Sequence, residues 1–321
     1  MPERVTNNAV TEGFIDGIPY IYSFGGLDST RLFSGVHQRS YRYNIVTDIW
    51  ESIPSLPDTL GKIGMGASHI DNIIYIIGGC HVFKDGPEIS SNKVHRYDVV
   101  NNKYLPDGAL LPVPVDDHVQ CVWRDSLIFV ITGWSHTHNI PDVQIYNPAT
   151  DTWMMGTPTP NHDNYTSFGA SGVILGDTIY YFGGASDSKN FLIQNNLRIG
   201  VINVENPTQI DWSDTLLDPQ VQGYRMAATS VYNNIYWIGG SGTTYNYDGI
   251  AYNGSEGVHP LNRILCFMPF QTDWYTSFTS SLPMDVRGVA NIAESIKYIA
   301  GGMLTGQKVS NKTFRLIWNH E

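Results

Sequence analysis

The chain has 321 residues, 42% apolar and 15% charged, enough to bury a large core and too mixed in character for disorder. A formal net charge of −11 without a Lys/Arg cluster excludes a nucleic-acid surface, and no apolar run approaches the roughly 20 residues of a membrane-spanning helix. Cys80, Cys121 and Cys266 are odd in number and far apart, so they are expected as buried small side chains rather than a disulfide framework or a metal site.

Six apolar runs end alike along the chain: YIYSFGG at Gly25-Gly26, IIYIIGG at Gly78-Gly79, LIFVITG at Gly133, TIYYFGG at Gly183-Gly184, NIYWIGG at Gly239-Gly240 and IKYIAGG at Gly301-Gly302. They recur every 51 to 62 residues, a period that marks a repeat architecture. Within a copy, a first strand such as MGASHI turns at Asp71-Asn72, a second strand runs to the Gly pair, a variable loop follows, and an aromatic hairpin closes the unit. The hairpin pairs Tyr43 with Trp50, Tyr97 with Tyr104, Tyr146 with Trp153 and Phe267 with Trp274, seven residues apart across a polar turn, which brings the rings together on neighbouring strands. Copy four stretches this hairpin to Trp212.

Four antiparallel strands per copy and six copies predict one all-β domain over residues 1–321, with radial blades around a channel. The sixth copy ends in its third strand, so the closing blade is expected to be incomplete, or improvised from the first few residues and the tail.

Strand alternation sends the linker before each first strand and the loop after each Gly pair to one face. The linkers bring Asn7-Asn8, Lys62, Asp116-Asp117-His118, Tyr165, Tyr224-Arg225 and Arg287. The loops bring His37, His81, Glu88, Trp134, His136 and His138, and a long insertion in copy five adds Tyr245, Tyr247, Asp248 and Tyr252. Cations, carboxylates, imidazoles and rings on one rim suit an anionic, hydroxyl-rich ligand such as a sugar acid, with Arg225 and Arg287 forked on its carboxylate. Trp134, directly after the altered pair Thr132-Gly133, is placed either to stack on a sugar or to cap the core. His118, His136 and His138 are read as ordinary loop histidines rather than metal ligands, and no phosphate loop or nucleophile elbow is present.

The Gly pair, variable loop, Tyr and Trp about seven residues later resemble the kelch motif over nearly the whole chain, which implies a six-bladed kelch β-propeller. Among such propellers the rim is similar to that of the bacterial sialic acid mutarotases, also called N-acetylneuraminate epimerases. That resemblance implies a cofactor-independent isomerase acting on a sialic acid or uronate, with Asp117 and His118 moving protons and Lys62, Trp134, His136, Tyr165, Arg225, Tyr247, Asp248 and Arg287 binding the ligand. Two alternatives stand beside it: a non-catalytic module that binds a glycan or a protein, and a polysaccharide lyase using Tyr165, Tyr247 or His118 as base. Low lysine content, abundant Asn, Ser and Thr, and an N-terminus that reads as trimmed point to a bacterial periplasm or surface, with the signal removed.

Overall fold

A computed structural model of the chain describes residues 1–84, 88–188, 190–218, 220–279 and 281–319. Six antiparallel sheets follow one another along the chain as the blades of a propeller, and the described residues contain no α-helix. Blade one pairs Ala9–Ile15, Ile18–Phe24, Ser40–Asn44 and Ile49–Ile53 in that order. Blades two to five repeat this four-strand path, from inner strands Ile63–Ile70, Val119–Trp123, Ser171–Leu175 and Ala227–Val231. Blade six pairs three strands, Ala290–Ala293, Ile296–Ala300 and Thr313–Ile317, so the expected incomplete closing blade is what the described residues show.

Blade packing explains the hydrophobic pattern. The second strand of a blade is covered on both faces by its neighbours, so Leu127–Ile131 is buried at every position and reads as a continuous apolar run. The inner strand faces the channel with alternate residues, so Val119–Trp123 buries Val119, Cys121 and Trp123 and leaves Gln120 and Val122 half-buried. Between blades three and four, Cys121, Phe129 and Ile145 meet Ile179 and Tyr181 in one cluster. Each such side chain contributes about 1.5–3 kcal/mol by leaving water. The aromatic pairs face each other directly in register, Tyr43 on Trp50 and Tyr146 on Trp153, with ring centroids 5.2 and 4.9 Å apart.

The Gly pairs are the stitches between blades. The second glycine of each pair donates its N–H to a carbonyl in the next linker, as Gly184 does to Gly223 at 2.9 Å. A side chain on the first glycine would meet that carbonyl: a Cβ on Gly183, whose φ is +73°, would lie 2.1 Å from the Gly223 oxygen. Thr132 occupies this position in blade three at φ 48°. Its hydroxyl replaces the missing freedom with bonds, accepting the Ser167 N–H at 2.9 Å and donating to the Ser167 carbonyl at 3.2 Å.

At the hub, one residue per blade adopts the left-handed conformation: Asn7, Gly64, Asp117, Gly169, Arg225 and Asp285, with φ between 51° and 68°. Their backbones form a chain of hydrogen bonds around the axis. Asp117 donates to Gly64, Gly169 to Asp117, Arg225 to Gly169 and Asn7 to Asp285, while Gly64 donates to the Asn7 side chain. The residue before each of these pairs with the residue after a Gly pair, so Asp116 faces Trp134 and Phe168 faces Ala185.

Candidate functional site

The left-handed ring carries four polar side chains, Asn7, Asp117, Arg225 and Asp285, and the three charged ones are ion-paired across the axis. Arg225 donates from Nε and Nη2 to Asp117 Oδ2 at 3.2 and 2.8 Å, and from Nη1 to Asp285 Oδ1 at 3.3 Å. Arg287 binds the other oxygen of Asp117 and donates to Asn7 Oδ1 at 2.9 Å. The two guanidiniums hold the Asp117 carboxyl down to about 2, against burial that opposes ionisation. Arg225 also lies over the rings of Tyr224 and Tyr245, 5.0 and 5.2 Å from their centroids.

This charged layer stands between two cavities. On the loop face, a cavity of about 260 Å³ is lined by Glu88, Asp116, Asp117, Trp134, His136 and Arg225 together with Phe168, Phe191, Asn246 and Tyr252. Behind it, the channel holds about 440 Å³ lined by polar groups of the inner strands, including Ser68, His118, Gln120 and Arg287. Asp117 and His118, adjacent in sequence at the left-handed turn before the inner strand, therefore face different compartments. His118 donates from Nε2 to Gln120 Oε1 at 3.1 Å, and burial pushes its pKa down to about 4, so it is neutral.

The mouth cavity has a polar side and an aromatic side. Asp116 is 4% exposed, and its Oδ2 accepts the Ser90 hydroxyl at 2.6 Å. Ser90 Oγ in turn accepts the His136 N–H at 2.9 Å. Burial and the neighbouring Asp117 charge push the Asp116 carboxyl well above the usual carboxylate range. Burial also raises Glu88. Opposite, Trp134, Phe168, Phe191 and Tyr252 pack edge to face or tilted, with centroids 4.5 to 6.1 Å apart.

The copy-five insertion, residues 241–262, arches over this mouth. Thr244 Oγ1 donates to the Phe191 carbonyl at 2.6 Å, Arg31 of blade one donates to the Asp248 carbonyl at 2.7 Å, and Gln307 of blade six donates to the Val258 carbonyl at 2.5 Å. Blades one, four and six thus hold the insertion in place.

Of the residues expected at the rim, Glu88, Asp116, Asp117, Trp134, His136, Arg225 and Tyr252 line the mouth cavity. Others lie elsewhere, each for a physical reason. Lys62 is 0% exposed, because its ammonium turns into the wall to meet Asp58 at 3.0 Å and His95 at 2.9 Å. Tyr165 lies at the outer side of blade four, where its hydroxyl interacts with Asp214. Tyr247 packs on Leu27, Ile63 and Cys80, and the Asp248 carboxylate caps its own turn by accepting the Ile250 N–H at 3.0 Å. Arg287 and His118 line the channel behind the charged layer. The two arginines expected to fork on a ligand carboxylate both hold Asp117 here. Phe168, Phe191 and Asn246 were not anticipated; the sixfold equivalence of Phe168 to Asp116, one residue before the left-handed position, is the signal that finds the first. Among the described residues no cluster of three His, Cys, Asp or Glu side chains is arranged to hold a metal ion.

Comparison with known proteins agrees with this geometry. A family model described as Kelch motif matches residues 63–105, which hold the strands of blade two. Kelch-like protein 25 of Xenopus tropicalis is 26% identical over 52% of the chain, and Kelch domain-containing protein 3 of Rattus norvegicus is 25% identical over 76%. The chain spans 27% of the first relative's length and 66% of the second's. A solved structure titled "Structure of YjhT" superposes with a TM-score of 0.75 at 16% identity, covering 98% of this chain and 95% of that one. That likeness is one of fold.

Proposed function

The chain is a six-bladed propeller of kelch repeats, and on that footing we propose that its mouth pocket binds one hydroxyl-rich ring of the sugar class and moves protons on it, in the manner of a mutarotase or epimerase. The feature that carries this reading is the split of two adjacent carboxyls on one cavity wall, Asp116 pushed up by burial and Asp117 held down by two guanidiniums. Neighbouring titratable groups driven apart in this way mark acid and base assignments. Aromatic rings facing carboxyl groups across a small cavity suit the apolar face and hydroxyl edge of a sugar.

The roles differ from those expected of the sequence. A carboxylate held near 2 by two guanidiniums is too weak a base for proton transfer at neutral pH, so Asp117 sets the local field. Asp116 serves as the acid, and His136, in the same pocket, has the right chemistry to accept a proton. In ring opening, His136 takes the proton of the anomeric hydroxyl, Asp116 gives its proton to the ring oxygen, and the bond from the anomeric carbon to that oxygen breaks. Reclosure on the other face returns both protons, so no cofactor is consumed.

A lyase is less well supported, because it needs an open groove for a polymer, and Tyr165 and His118 lie outside a pocket that the insertion covers. The test is NMR exchange spectroscopy of anomers over a panel of aldoses, amino sugars, uronates and sialic acid. The expected result is faster exchange with the protein, reduced by about 100-fold or more in Asp116→Asn. Saturable binding without faster exchange makes the propeller a recognition module, and neither result removes the sugar reading.

A further inference from the structure

The charges of the mouth pocket do not match those of a sugar acid. Arg225 at its wall and Arg287 behind the charged layer are met by two protein carboxylates, Asp117 and Asp285. Two further carboxyls line the cavity without a cation of their own. The Glu88 carboxyl makes no hydrogen bond or ion pair among the described residues, and Asp116, nine-tenths buried, has a partner only on Oδ2, leaving Oδ1 unpartnered. Facing them are four aromatic rings, whose electron-rich faces attract cations. An incoming carboxylate would meet two carboxyl groups, Glu88 and Asp116, and no uncommitted guanidinium. An incoming ammonium would find a carboxylate partner in an aromatic-lined, partly dry site.

We infer that this pocket takes a ligand bearing a protonated amine, with Glu88 as the residue that receives the ammonium. For the ring that carries the amine the inference rests on the sugar reading above; for the charge it stands on the pairing of the arginines alone. Asp116, bonded to Ser90, keeps its proton for the acid role, while Glu88 is the carboxyl a bound cation would ionise. The groups facing Glu88 are Asp117, Arg225, Tyr247, Asp116 and the Cys80 thiol, with Tyr252 across the cavity. Of these Arg225 is the one cation, and Asp117 and Asp285 already claim it.

The experiment compares D-glucosamine, D-glucose and D-glucuronate at neutral pH, with tetramethylammonium as a cation that is not a sugar, binding being read from intrinsic tryptophan fluorescence and by calorimetry. Glucosamine is expected to bind at least about tenfold more tightly than glucose, with glucuronate weakest, and Glu88→Gln should bring glucosamine and glucose within about threefold. Glucuronate binding as well as glucosamine, or a preference unchanged in Glu88→Gln, overturns the inference. Equal binding of glucose and glucosamine leaves the sugar reading standing and removes the charge assignment. Saturable binding of tetramethylammonium alone, abolished in Glu88→Gln, keeps the charge assignment and removes the sugar. No binding by any of the four removes both.

Discussion

Arg225 and Arg287, from the inner edges of two different blades, close on the same carboxylate, Asp117, from a third. All three side chains are at least nine-tenths buried, so each depends on the others for its charge to be tolerated. Replacing Arg225 with Met leaves Asp117 and Asp285 short of a counter-charge. We expect a loss of about 3–5 kcal/mol in urea unfolding, the usual cost of breaking a buried pair from one side. A double-mutant cycle with Asp117→Asn should show strong coupling, because the second change removes much of the stranded charge.

Asp116 gives the opposite stability result. Its folded pKa is raised by burial and by the Asp117 charge, so its contribution is fully present below the ordinary carboxylate pKa and is lost as pH rises through the folded value. Asparagine has no proton to lose and can still accept from Ser90. Asp116→Asn should therefore unfold at higher denaturant than wild type at neutral and alkaline pH, by about 0.5–2 kcal/mol, a gain of the size seen when strained sites are relieved. Near pH 4, close to the ordinary Asp value, the two proteins should converge. Circular dichroism melts across that range test the sign.

Thr132 allows the altered Gly pair to be taken apart. Thr132→Val keeps the shape, removes the hydroxyl and strands the buried Ser167 N–H, so it should cost about 1–3 kcal/mol. Thr132→Gly removes the same bonds but relieves a left-handed β-branched residue, so its cost should be smaller. If valine proves the milder change in denaturant titrations, the hydroxyl is not what holds this junction.

Two glycines with similar backbone angles should respond very differently to alanine. Gly176, at φ +61°, has nothing within 4 Å of an added Cβ, so Gly176→Ala should cost only the left-handed penalty, about 1–2 kcal/mol. Gly183→Ala must also push the Gly223 carbonyl away from a Cβ at 2.1 Å, breaking the seam between blades four and five. It should cost at least about 3 kcal/mol and lower soluble yield, measured by melting temperature and expression side by side.

The blades were legible because their determinants are local. A Gly pair fixed by a neighbouring carbonyl and an aromatic pair seven residues apart are constraints that one repeat states by itself. The site was legible only in part, because it depends on which charge each side chain meets. Lys62 reads as a rim cation, yet its partners, Asp58 and His95, come from a linker and a third strand and draw it into the wall. Arg225 and Arg287 read as a matched pair, yet the sixfold partner of Arg225 is Asp285, two residues earlier, and it neutralises Arg225 instead of joining it. Phe191 comes from a variable loop whose register no repeat specifies.

The left-handed ring has a mechanical consequence for the propeller as a whole. A circle of blades must be fastened where the first meets the last, and the visible place to look is the outer edge. Here the clasp sits at the axle: Asn7 reaches Asp285, Thr6 Oγ1 binds Asp285 Oδ2 at 2.7 Å, Val5 and Gly302 join through the backbone, and Asn8 Nδ2 reaches the Ala300 carbonyl at 3.3 Å. Two of the residues that fasten the circle, Asn7 and Asp285, are thus the ones that bond Arg287 and Arg225, so the clasp and the charged layer share their parts.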